Sequence, residues 1–157
     1  MKTSWLAIAA FGACWALPAH AQMVRAQDPS SVQRALQSEG YTAKITTDKD
    51  GDPLIESAYS GSQFEVYFYN CTNHKDCATV QFHAGYDLSD GSSLQAVNAW
   101  NKGKRFGRAY LDDENDPHIE KDVDLDDGGM SQLLFIDNLE FWTTLLPQFE
   151  TAVGYKK

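Results

Sequence analysis

The sequence predicts an α+β domain: a mostly antiparallel sheet of about six strands with helices packed on it, in the order α-β-β-β-β-α-β-β-α. Three observations predict it. Between Tyr41 and Asp126 apolar residues recur at every second position in six short runs, the period of a half-buried strand. Most of those runs are joined by turn-forming residues, which suits antiparallel neighbours. From Gly129 to Val153 the period changes. Phe135, Leu139, Trp142, Leu146, Phe149 and Val153 follow one another at spacings of 4, 3, 4, 3 and 4, one stripe of a helix. Leu134, Phe141 and Leu145 widen that stripe. Each large side chain gains about 1.5–3 kcal/mol on burial, so so aromatic a stripe needs a broad apolar surface, and the sheet supplies it.

The N-terminus reads as a leader. Lys2 precedes an apolar run from Trp5 to Leu17, and Ala19-His20-Ala21 is a small-x-small cleavage site. Residues 1–21 are therefore expected to be a secretory signal peptide. The run is too short for a membrane span. A rival reading makes Cys14 a lipoprotein cysteine, although Phe11 stands where an aliphatic residue is normally wanted. No later segment is apolar enough to insert into a membrane after cleavage. The expected location is periplasmic or secreted. Residues 22–27 are read as a flexible mature N-terminus and 28–157 as a single domain.

The whole chain carries a formal net charge of −9 from 13 basic and 22 acidic residues. So acidic a chain repels nucleic acid and anionic lipid, and both are set aside as partners. With Cys14 in the leader, Cys71 and Cys77 remain. An even count in an exported chain reads as one disulfide, worth about 2–3 kcal/mol. His74 between them leaves two alternatives, a metal site or a redox pair. Structural zinc wants four ligands, and the paired C-x-x-C spacing is absent.

The elements follow in order. Asp28 caps a first helix with Pro29 in its first turn; Val32, Ala35 and Leu36 give its apolar face, and Gly40 ends it. Tyr41, Ala43 and Ile45 alternate with Thr42, Lys44 and Thr46 in the first strand. Asp48 to Asp52 is a turn around Asp50-Gly51. Leu54 to Ser60 is the second strand. Gln63 to Asn70 is the third, with Phe64, Val66 and Phe68 on one face and Glu65, Tyr67 and Tyr69 on the other. Cys77 to Tyr86 is the fourth, with Ala78, Val80, Phe82 and Ala84 inward. Ser92 to Gln95 fits a capping box for a second helix carrying Leu94, Val97 and Trp100. Arg105 to Asp112 and His118 to Asp126 form a hairpin around Asn115-Asp116-Pro117. Gly128-Gly129 leads into the last helix, where Pro147 is expected to cause a kink or a restart.

The segment VNAWNKGKRFGRAYLDDEN, from Val97, resembles the YbjN family of bacterial proteins. The residues that carry the likeness are Asn98, Trp100, Asn101, the Arg105-Phe106 strand opening, Leu111-Asp112, and Phe141-Trp142 in the last helix. The likeness extends over roughly Asp28 to Val153. It implies a fold similar to type III secretion chaperones, small α+β proteins that often dimerise and bind other proteins. It also implies a regulatory role in sensory transduction or stress, with no established enzymatic activity. The leader and the cysteine pair depart from the usual cytoplasmic members.

Other constellations have plain readings. Asp48 to Asp52 resembles a calcium loop only briefly: the glycine is fourth, and position twelve is Tyr59. Asp112 to Asp127 holds nine acids in sixteen residues. It reads as a solvated hairpin, with weak divalent binding or electrostatic docking as alternatives. His74, His83 and His118 lie in separate segments, and no nucleophile elbow, HExxH or phosphate-cradling loop occurs. Neither a catalytic residue, a metal site nor a cofactor is nominated. Tyr59, Tyr67 and Tyr69 are expected on the sheet face opposite the core, where aromatics mark partner sites. The expected function is an exported, non-enzymatic protein-binding module, its partner an unknown protein or a second copy. The alternatives are an envelope enzyme and a weakly calcium-responsive acidic protein.

Overall fold

The computed structural model describes residues 22–156, so the signal-peptide reading of residues 1–21 lies outside it. Chain order is β1 (Met23–Val24), α1 (Pro29–Ser38), β2 (Ala43–Thr47), β3 (Pro53–Tyr59), β4 (Ser62–Tyr69) and β5 (Thr79–Gly85). There follow α2 (Leu94–Gly103), β6 (Arg108–Leu111), β7 (Pro117–Asp124), β8 (Met130–Ser131) and α3 (Gln132–Val153). The main sheet has six antiparallel strands in the order β2-β3-β4-β5-β7-β6. The fold is α+β, and the predicted order of elements holds. The difference is a small second sheet, β1 paired with β8.

That small sheet corrects the reading of residues 22–27 as flexible. Met23 pairs with Ser131 and Val24 with Met130, while Val24 and Ala26 are buried. Two residues are too few to show an alternating pattern, so the pairing is invisible in the sequence.

Local chemistry starts and stops the helices. The Asp28 carboxylate accepts from the backbone N–H of Ser30, and Pro29 needs no partner there. Ser93, rather than Ser92, caps α2 by accepting from Ala96 N–H. Ser131 caps α3, and Gly154 closes it in the left-handed conformation at φ 80°. α3 runs through Pro147 as one helix, so the expected restart does not occur.

The core lies between the helices and one face of the main sheet. Phe135, Leu139, Trp142, Leu146, Phe149 and Val153 are all buried, as their spacing requires. Trp142 stacks on Phe82 with centroids 5.8 Å apart and meets Phe64 edge-on at 6.1 Å. Trp100 meets Phe149 edge-on at 5.0 Å, which brings α2 against α3. The stripe is narrower than expected, however: Leu134 is 50% exposed and Phe141 48%. Leu145 is buried.

Cys71 and Cys77 are joined in a disulfide across the β4–β5 connection. His74 lies between them in sequence and faces elsewhere, its Nδ1 2.8 Å from Asp52 in the β2–β3 turn. Asp48 Oδ1 accepts from the backbone N–H of Asp50 and Asp52, which makes residues 48–52 a side-chain-closed turn.

Candidate functional site

The register of the six strands sets a row of charges across the sheet face opposite the helices. Lys44, Glu56, Glu65, His83, Glu120 and Arg108 stand side by side, one from each strand. Lys44 bonds Glu56 at 3.1 Å, and Arg108 pairs with Glu120. The next row holds Thr46, Leu54, Tyr67, Gln81 and Asp122. There the Gln81 amide donates to Asp122 at 2.7 Å and accepts from Tyr69 at 3.3 Å.

At the centre lies a continuous hydrogen-bonded chain. Glu65 Oε2 is 3.0 Å from His83 Nδ1, His83 Nε2 is 3.0 Å from His118 Nδ1, and His118 Nε2 is 3.3 Å from Asp112 Oδ2. His118 pairs with Gly85 across the β5–β7 ladder, so it sits diagonally beside His83. Gly85 is what admits the ring: a Cβ there would come within 2.6 Å of His118 Cε1. Tyr110 stacks on His118, with centroids 4.9 Å apart and planes 9° from parallel. Tyr67 meets His83 edge-on at 5.5 Å. The two imidazoles are largely shielded, their side chains 14% and 19% exposed.

The electrostatics follow from these contacts. The His83 hydrogen bond holds Glu65 below the usual carboxylate range. The backbone N–H of Asp116 is the first of several donors that do the same for Asp112. Burial pushes the Tyr67 hydroxyl up to about 12, and the Tyr69 and Tyr110 hydroxyls upward, so all three stay neutral donors. Among the described residues no group of three or more Cys, His, Asp or Glu side chains is placed to hold a metal ion.

The predicted site residues divide. Tyr67 and Tyr69 lie on this face as expected, their rings stacked 6.3 Å apart. Tyr59 does not. It pairs with Ser62, which shares a face with Phe64 and Val66, so Tyr59 belongs to the helix side. It lies at the strand end, 5.9 Å from Tyr41. The sequence reading misplaced it because Tyr59 and Tyr67 sit on different strands, and only the hairpin register relates their faces.

The motif residues near α2 gather at a second place. Trp100 Nε1 donates to the Gly107 carbonyl at 3.2 Å. The Asn101 amide both donates to the Ala109 carbonyl and accepts from its N–H, each at 2.9 Å, so it acts as a short substitute strand for β6. Just before these two anchored positions Phe106 sits at φ 67°, unusual for a bulky residue. Its ring is 51% exposed and lies 4.8 Å from that of Phe141. Phe141, expected to widen the buried stripe, and the motif residue Phe106 are thus on the surface. Asn98 is also exposed, Leu111 half-buried, and Trp100 and Trp142 buried. An open groove of about 470 Å³ runs beside Phe106, between Arg108 and Lys121. β7 continues past the end of β6 there, since β6 pairs only with Pro117 to Glu120.

Sequence reading missed the chain of Glu65, His83, His118 and Asp112. The available clue was Gly85, a residue without a side chain in a strand whose partner carries a histidine.

A six-stranded antiparallel sheet with helices on one face, and a polar, aromatic-bearing face opposite, defines a small α+β domain. The sequence matches the YbjN family, described as "Putative bacterial sensory transduction regulator", over residues 28–154. The chain belongs to that family. The description names a regulatory role and no reaction. No curated protein matches the chain. No helix among the described residues is long and apolar enough to cross a membrane.

Proposed function

We propose that this protein is an exported, non-enzymatic regulatory module that works by binding another protein. The observation that carries this reading is Phe106. A bulky residue in the left-handed region costs about 1–3 kcal/mol and persists only where its surroundings enforce it. Here Trp100 and Asn101 pin the backbone immediately after Phe106, at Gly107 and Ala109, and the cost yields a half-exposed residue against a second half-exposed ring. Fold stability alone does not reward that arrangement. Exposed aromatic pairs beside a groove are what partner proteins cover. Tyr67 and Tyr69 on the open sheet face offer a second contact area. The disulfide supports export, because such bonds persist in oxidising compartments.

A photo-crosslinking residue placed at position 106, with position 49 in the exposed β2–β3 turn as control, tests the binding surface. Adducts specific to position 106 and lost on Phe141→Ser support it. Light scattering of the purified chain then separates a second copy from a different protein. A monomer giving no adduct above the control overturns the reading. Export is checked by the mass of the mature chain, expected to begin at Gln22.

A further inference from the structure

The chain of Glu65, His83, His118 and Asp112 does not balance with two neutral imidazoles. An ionised carboxylate only accepts hydrogen bonds, and a neutral imidazole has one N–H. Glu65 and Asp112 are both held in the ionised form by their donors. His83 Nδ1 must therefore carry the hydrogen that points to Glu65, and His118 Nε2 the one that points to Asp112. That uses the single N–H of each ring. His83 Nε2 and His118 Nδ1 would then present two lone pairs to each other at 3.0 Å, a repulsive contact. One added proton turns it into an N–H···N hydrogen bond.

A metal ion does not fit the same gap. The ring centroids are 5.2 Å apart while the facing nitrogens are 3.0 Å apart, so the nitrogens lie between the rings, nearly in line. Two metal–nitrogen bonds of about 2.0–2.1 Å in line need about 4 Å.

We propose that Glu65, His83, His118 and Asp112 form a proton-binding site that takes up one proton from solvent, shared between His83 Nε2 and His118 Nδ1. The surroundings suit a cation at that point. Glu120 of β7 stands opposite His83 and is paired with Arg108 of β6; Glu56 of β3 flanks Glu65 and is paired with Lys44 of β2; Asp122 lies in the adjoining row. Tyr67 of β4 and Tyr110 of β6 shield the two rings.

The proton has a structural consequence. With it in place, β4, β5, β7 and the turn at residues 112–117 are tied by an unbroken series of bonds. Asp112 Oδ1 also accepts from the backbone N–H of Glu114 and Asp116. Asp116 in turn accepts from Leu88 N–H at 2.8 Å, and the Asn115 carbonyl accepts from Ser92 N–H at 2.8 Å. The turn therefore grips the segment that enters α2. Loss of the proton removes the middle link and frees His118 from His83. The inference goes beyond the partner-binding reading and does not depend on it.

Ring nitrogen and carbon NMR of the three histidines in the full mature chain, titrated over about pH 5–8 where imidazoles change charge, tests the proposal. His83 and His118 should shift together, at one midpoint, with one proton between them. Full one-proton steps in both rings at separate midpoints overturn the proposal. So does tight binding of added Zn²⁺ by both rings. Gly85→Ala supplies a second arm without touching a titrating group. Its Cβ, 2.6 Å from His118 Cε1, must push the ring away. The joint step should then split in two, and its survival unchanged also overturns the proposal.

Discussion

Trp142 and Phe141 are neighbours in sequence and opposites in environment, which makes them a test of how α3 packs. Trp142 is fully buried between Phe82 and Phe64, and Phe141 is 48% exposed against the Phe106 ring. Truncation of a buried tryptophan to alanine costs about 3–5 kcal/mol. The Trp142 Nε1 is buried without a partner among the described residues, and removing such a donor returns about 1–3 kcal/mol. The expected cost of Trp142→Ala is therefore at the lower end, about 3 kcal/mol. Half of a phenylalanine's burial is about 1 kcal/mol, and an aromatic pair adds about 0.5–1.5 kcal/mol. Alanine returns about 0.5 kcal/mol through helix propensity. Phe141→Ala should thus cost about 1–2 kcal/mol by the same terms. Urea unfolding followed by far-UV circular dichroism at neutral pH measures both, and neither should abolish folding in a domain stable by about 5–15 kcal/mol. Equal losses for the two variants would refute the assignment of faces. A loss under about 1 kcal/mol for Trp142→Ala would refute the packing of α3 on the sheet.

Three other outcomes are expected. Glu65 is depressed in the folded state, mainly by its bond from His83, so its stabilisation is present above its ordinary value of 4.5 and is lost as pH falls through the lower folded value. Urea midpoints of the wild type and Glu65→Gln should converge as pH is lowered through that window; a gap that stays constant to the acid end contradicts the assigned bond. Reducing the disulfide, or Cys71→Ser with Cys77→Ser, opens a loop of sequence separation 6 and should cost about 2 kcal/mol on chain entropy, read as a shift in denaturant midpoint. Asp28→Ala removes the cap of α1 and should cost about 1 kcal/mol, whereas Arg34→Ala, which breaks the half-exposed 3.2 Å ion pair to Asp28 and an exposed hydrogen bond to Ser30 Oγ but leaves the cap, should cost less; equal losses would assign the effect to the arginine contacts.

Much of the architecture was legible in the residues themselves. The six buried positions of α3, the inward Phe64, Val66 and Phe68 of β4, the cap at Asp28 and the pairing of Cys71 with Cys77 all follow from short-range periodicity and local chemistry. These signals reach no further than a few residues, and they fix which face of each element avoids water. The family motif was likewise readable as letters, although it did not tell that Phe106 and Phe141 face outward. At Phe106 the backbone takes a left-handed step just before positions held by Trp100 and Asn101 of α2, and Phe141 lies on the face of α3 turned away from the sheet.

The candidate site belongs to the tertiary structure. Glu65, His83, His118 and Asp112 come from β4, β5, β7 and the turn after β6, and no spacing along the chain relates them. The ladder register decides that His83 stands opposite Glu65 and diagonal to His118, and a slip of one residue in any strand would turn its side chain to the other face. The misplacement of Tyr59 has the same origin. Alternation determines that a strand has two faces; only its pairing with neighbours determines what those faces have in common.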